Sequence, residues 1–222
     1  MKKIYFIFII LFINFNPLYA HQPFGILNNE GNSHFVNLRD ASVSHAFYGE
    51  FNSKDEEVLI NAQILSGDHL EFSLLIPDKL PENGLPEKNL PYIVLSDSSK
   101  NQNVYHAQER IKFHEPFSDM DLIRIISYKS KELIDTDYSL KVVSKNKTRF
   151  VLSIGYKENF STTYADGDVV KFGKEGLDKW YFIEQKPKQN YFLTRILIPI
   201  FFGFLFFILI VFIKRFRRFR YE

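Results

Sequence analysis

Two uncharged apolar runs, one near each end of the chain, confine whatever folds in water to the residues between them. The first, Ile4 to Ile13, follows Lys2 and Lys3 and is broken by Asn14, Asn16 and Pro17 ahead of Tyr19-Ala20. A basic start, a short apolar stretch and a small closing residue are the parts of a secretory signal peptide. Residues 1–20 are therefore predicted to be a signal peptide cut after Ala20. The second run, Ile196 to Ile213, is long enough as a helix to cover about 27 Å, roughly the hydrocarbon thickness of a bilayer. It is predicted to be one C-terminal transmembrane helix. Lys214, Arg215, Arg217, Arg218 and Arg220 follow it, opposed only by Glu222. That asymmetry places a basic tail, 214–222, in the cytoplasm. Residues 186–195 read as a short juxtamembrane stalk. The expected topology is a single-pass membrane protein with its N-terminal domain in the periplasm or outside the cell.

The segment between, residues 21–185, is the size of one domain and can bury a real core. Its charge is hidden by the whole-chain value of +2. With the signal, Arg195 and the tail set aside, 20 basic residues face 25 acidic ones. A mildly acidic surface argues against nucleic acid as a partner. The chain has no cysteine. An exported domain is free to use disulfides, so this one must be stabilised by its core, and thiol catalysis and cysteine metal sites are excluded.

The ectodomain reads as strands. Val58, Ile60, Ala62 and Ile64 alternate with polar neighbours, and after Ser66-Gly67-Asp68 the alternation resumes at Leu70, Phe72, Leu74 and Ile76. Tyr138, Leu140 and Val142, then Phe150, Leu152 and Ile154, repeat this across Lys145-Asn146-Lys147. Each pair of runs is expected to form a hairpin. His45–Phe51, Tyr92–Leu95 and Leu122–Tyr128 are further strand candidates. Asp78 to Asn89, with Pro81, Gly84 and Pro86, reads as an exposed loop. Gly173 to Gln185 has room for a short helix around Leu177, Trp180 and Tyr181. Short strands, polar turns and no long amphipathic helix predict an all-β fold: a single antiparallel β-sandwich.

The runs Gly49-Glu50-Phe51, Leu65 to Leu74 and Tyr92 to Asp97 resemble the bacterial pre-peptidase C-terminal (PPC-like) β-sandwich, with Tyr138–Val143 and Arg149–Gly155 as its closing strands. A closer resemblance is to domains of this plan that carry a signal peptide and a C-terminal anchor. They begin with His-x-Pro (His21-Gln22-Pro23) and contain Glu-Pro-Phe (Glu115-Pro116-Phe117) and Gly-Tyr-x-Glu-x-Phe (Gly155 to Phe160). The position of His45 is often Trp in such chains, so this chain departs there. The resemblance implies fold and topology and carries no activity.

No catalytic constellation emerges. The serines lack a nucleophile-elbow context and the glycines lack phosphate-binding spacing. Asp166 and Asp168 share one tight turn, where two carboxylates cannot face each other across a cleft. The doublets Asp119/Asp121 and Asp135/Asp137 lack calcium-loop spacing and read as solvated turns. His106 and His114 are a candidate metal pair of low specificity. Phe47, Tyr48, Phe51 and Tyr105 are either a sugar-stacking platform or core.

One residue stands apart. After cleavage His21 would offer both its α-amine and its imidazole, and with one more histidine it would make the three-nitrogen site that copper(II) favours. His45 and His69 are the candidates for that second ligand, since each borders a predicted strand. The sequence thus supports two function classes. The favoured one is a non-enzymatic, membrane-anchored extracytoplasmic binding or assembly module. No cofactor is expected in it, and its partner is the membrane together with another envelope protein or a glycan. The alternative is a copper-binding or copper-dependent redox protein centred on His21.

Overall fold

The computed structural model describes residues 21–27, 33–65, 67–116, 118–130, 136–159 and 165–181. The signal peptide, stalk, transmembrane helix and tail expected from the sequence lie outside these residues. Among the described residues, no helix is long and apolar enough to cross a membrane.

Thirteen strands are described: β1 Gln22–Ile26, β2 Ser33–Leu38, β3 His45–Phe51, β4 Glu57–Gln63, β5 Glu71–Pro77, β6 Tyr92–Asp97, β7 Gln102–Tyr105, β8 Ile111–Glu115, β9 Met120–Lys129, β10 Asp137–Val143, β11 Thr148–Ile154, β12 Ala165–Gly167 and β13 Val169–Lys171. One helix, α1, spans Lys174–Tyr181. The strands form a seven-stranded sheet, β13-β1-β3-β11-β5-β9-β8, and a six-stranded sheet, β12-β2-β4-β10-β6-β7. Their inward residues make one core. Phe47, Phe72 and Phe150 come from the first sheet, and Val36, Ile60 and Leu140 from the second, each at most 1% exposed. The fold is a β-sandwich.

The strand runs at β3, β4, β5, β6, β9, β10 and β11 match the sequence reading, but the two expected hairpins do not form. β4 and β5 lie in different sheets, and so do β10 and β11. The reason is that period-2 alternation marks an apolar face without naming the neighbour. Two such strands bury their faces equally well side by side or across the sandwich. Here the chain switches sheets at nearly every step. Each switch reverses its direction, so two switches restore it, which makes β3 parallel to β1 and β4 parallel to β2. The sandwich is therefore mixed, not wholly antiparallel. β11 then inserts between β3 and β5, and β10 between β4 and β6, each antiparallel to both neighbours. Hairpins do form between β6 and β7 and between β8 and β9, in a polar stretch that carries little alternation.

The outer face of the seven-stranded sheet is covered. Leu177, Trp180 and Tyr181 of α1 are buried against it. The Trp180 indole donates to the carbonyl of Gly49 at 3.1 Å and meets Tyr48 edge-on at 5.0 Å. The Tyr181 hydroxyl donates to the carbonyl of Asp121 at 2.9 Å. The loop from Asp78 is not simply exposed, because its Glu82 is 2% exposed and meets Arg149 of β11. The guanidinium binds both carboxylate oxygens, at 2.6 and 2.9 Å, and donates to the carbonyls of Trp180 and Tyr181 at 3.2 Å. These are helix-end acceptors that the helix itself leaves unpaired. One buried ion pair thus joins a loop, a strand and the end of α1.

Candidate functional site

The outer face of the six-stranded sheet is the counterpart, and no helix covers it among the described residues. Residues directly opposite one another on paired strands share a face. The register aligns Asp166 (β12), Asn37 (β2), Asn61 (β4), Ser139 (β10), Ser96 (β6) and Gln102 (β7) in one row across all six strands. A second polar row holds Gln63 opposite Asp137. Of these, Asp166, Asn37, Asn61, Ser139, Gln63 and Asp137 line, with Arg39 and Ser98, an open concavity of about 650 Å³. On the other side of the first row runs an apolar one, Phe35, Leu59, Lys141, Val94 and Val104, in which Phe35 and Val104 are exposed. The face is amphiphilic: amides, hydroxyls and carboxylates beside an apolar strip.

Its two cations are paired locally. Arg39 donates to Asp166 at 3.0 Å. The side-chain bond from Asn37, and then Arg39, hold the Asp166 carboxyl below its ordinary value. Asp97 accepts from the backbone and the amide of Asn101 at 3.0 and 2.9 Å, which lowers its pKa. Lys141 meets Glu57 at 3.0 Å. What faces outward is polar, with Asn61, Gln63 and Asp137 exposed.

The second candidate lies at the starts of β1 and β3, which are neighbours at the same end of the sandwich. The backbone N–H of Gln22 donates to the carbonyl of Ser44 at 3.1 Å, and the His21 ring meets the Ser44 hydroxyl through Nδ1. Burial pushes the His21 imidazole pKa down, against the carboxylates of Glu115 and Glu158, which push it up. The three sequence motifs that carried the closer resemblance thus bring an ionisable group each into one neighbourhood. His45 is fully buried. Its Nδ1 lies 2.8 Å from the carbonyl of Val43. A carbonyl only accepts, so Nδ1 carries the proton and Nε2 bears a lone pair. That Nε2 is buried and has no hydrogen-bond partner. Burial lowers the His45 pKa; the Val43 bond and Asp40 oppose this, and the nearby His21 adds to it.

The loop before β3 is stitched to the segment after β11. Ser44 N–H donates to Lys157 O, and Tyr156 and Lys157 N–H donate to Ser42 O, all within 2.9 Å. Gly155 permits this approach. Its φ of +89° suits glycine, and a Cβ there would collide with the carbonyl oxygen of Val43.

The other sequence candidates fall apart from one another. His69 stacks on Tyr156 at 3.9 Å, and its Nε2 sits 3.2 Å from Glu71. His106 lies against the Tyr92 ring and His114 against Asp121, so each has its own partner. Asp168 accepts from the backbone of Phe35 at 2.9 Å, a structural turn bond. Phe47, Tyr48 and Phe51 are at most 4% exposed, which makes them core and not a sugar platform. Among the described residues, no group of three or more His, Cys, Asp or Glu side chains is placed to hold a metal ion. The sequence reading missed the polar rows, because single Asn, Gln and Ser residues on short strands align only once the register is known.

No family model matches the chain, and no curated protein matches it. A similar solved structure is the pre-peptidase C-terminal domain of collagenase from Bacillus anthracis, with 16% sequence identity and a TM-score of 0.34. The match covers 59% of this chain and 99% of that one.

Proposed function

We propose that the protein is a non-enzymatic binding module, held outside the cytoplasm by a C-terminal membrane anchor, whose ligand surface is the outer face of the six-stranded sheet. The observation that carries this reading is the continuous polar row from Asp166 to Gln102 on a face that no helix covers among the described residues. Its two cations, Arg39 and Lys141, are paired with carboxylates, so an uncharged ligand with many hydroxyls suits it better than an anion. A glycan of the cell envelope fits: hydroxyl edges meet the amide and hydroxyl rows, and C–H faces meet Phe35 and the apolar row. The anchor and short stalk expected from the sequence would keep this face near such material. The test is binding of neutral glycans to the detergent-solubilised full chain. Asn61→Ala with Gln63→Ala is expected to weaken binding at least tenfold. Full retention of binding in that variant contradicts the assigned face.

The alternative class, a copper protein, is favoured by one specific observation at the other site, the buried and unpartnered Nε2 of His45. The two readings concern different sheets and do not compete for residues.

A further inference from the structure

We propose that the mature N-terminus is a copper(II) site in which the α-amine and Nδ1 of His21 and the Nε2 of His45 are the three nitrogen donors. The inference does not depend on the glycan reading of the other sheet.

Its starting point is the buried His45 ring. An unsatisfied buried acceptor costs about 1–3 kcal/mol and calls for an explanation. The carbonyl of Val43 fixes the tautomer so that the lone pair is on the buried Nε2. A backbone carbonyl orienting a ligating histidine through its other nitrogen is how such rings are held in metal sites. Burial also favours the neutral form of both rings, the form that binds metal.

The strand register supplies the geometry. Gln22 pairs with His45 across two parallel strands, so His21 sits one position before that pair. Successive side chains on a strand face opposite sides. The His21 ring accordingly shares the side of Ser44, while the His45 ring points into the sandwich. The α-nitrogen of residue 21 belongs to the backbone and lies between these sides. On binding, copper(II) would draw the two imidazoles toward the amine between them, into the tetragonal geometry it favours. The carboxylates of Glu115 and Glu158 already favour positive charge at His21 and would favour a dication equally.

The side chains alone do not make this site, in accord with the finding that no three of them converge. The third donor exists only after the bond between Ala20 and His21 is cut. Until then that nitrogen is an amide with no lone pair to give. Metal binding would therefore report signal cleavage. On binding, the Ser44 hydroxyl must turn away from Nδ1.

The experiment uses the full chain, processed in cells, purified in detergent, stripped with chelator and titrated with copper(II) alone. Intact mass should show a chain that begins at His21. One copper per chain should bind, with an electron paramagnetic resonance spectrum showing coupling to three nitrogens. Carbamylation of the mature α-amine removes that donor without changing the sequence and should lower affinity at least a hundredfold. His45→Phe should lower it at least tenfold and remove one nitrogen coupling, while His69→Ala should change neither. A mature chain beginning elsewhere, sub-stoichiometric copper, or unchanged binding in the chain with its α-amine blocked overturns the site. So does a folded His45→Phe variant with an unchanged spectrum.

Discussion

The two outer faces of this sandwich are built to different ends. On the seven-stranded sheet, β3 and β11 are buried on both sides, because α1 and the Glu82 loop cover what the core does not. Their sequences show it as near-continuous apolar runs, His45-Ala46-Phe47-Tyr48 and Phe150-Val151-Leu152. On the six-stranded sheet, β4 alternates buried and accessible residues along its whole length, and its accessible ones are polar or form part of the apolar strip. A sheet face that is covered is spent on stability. A face left open, with aligned amides and hydroxyls, is available for a ligand.

The largest effects are expected on the covered face. Arg149→Ala leaves the Glu82 carboxylate buried without its partner and should destabilise the domain by about 3–5 kcal/mol, read from denaturant unfolding followed by Trp180 fluorescence. A loss below about 1 kcal/mol would mean that the pair does not hold the cover. Trp180→Ala removes the ring on Tyr48 and should cost about 3 kcal/mol, measured by circular dichroism because the fluorophore is gone.

Acid should act on the same cover. Burial raises the Glu82 carboxyl, but the bonds and charge of Arg149 more than offset it and leave the pKa below its ordinary value. A depressed carboxyl stabilises the fold above its unfolded pKa, ordinarily 4.5. That stability is lost as pH falls through the lower folded value. The histidines give a second, milder window. His21 and His45 have depressed pKa values, so the unfolded chain binds more protons than the folded one just below their ordinary value of 6.5. Stability should be complete above that pH and fall as the medium becomes more acidic. His45→Phe should flatten the decline between pH 7.5 and 5, and an unchanged slope would remove His45 as a cause.

The smallest effect on stability is expected on the open face. Asn61→Ala and Gln63→Ala should each change it by no more than about 0.5 kcal/mol. A larger loss would mean that these amides serve the fold and not a ligand.

The sequence made some of this legible and hid the rest for physical reasons. Alternation located most long strands, and the apolar cluster Leu177, Trp180 and Tyr181 located α1. Pairing was not legible, since the connection at Lys145-Asn146-Lys147 looks the same whether it closes a hairpin or crosses to the other sheet. β1, β2, β7, β8, β12 and β13 were missed, being short or weakly alternating. Glu82 looked like a loop acid because its partner Arg149 is 67 residues away. At the candidate sites, His21 was visible from its position after Ala20. His45 could be narrowed only to a pair with His69, because what separates them is the Val43 carbonyl and burial on one side, and Glu71 and Tyr156 on the other.

The claim that one face is cover and the other is for binding has a direct test. Photo-crosslinking amino acids are placed singly at Asn61 on the open face and at Glu175 on α1, in the full chain expressed in its own membranes. Adducts are then identified by mass spectrometry. The account predicts a reproducible glycan adduct from position 61 and none from position 175. Adducts from position 175 alone would contradict it.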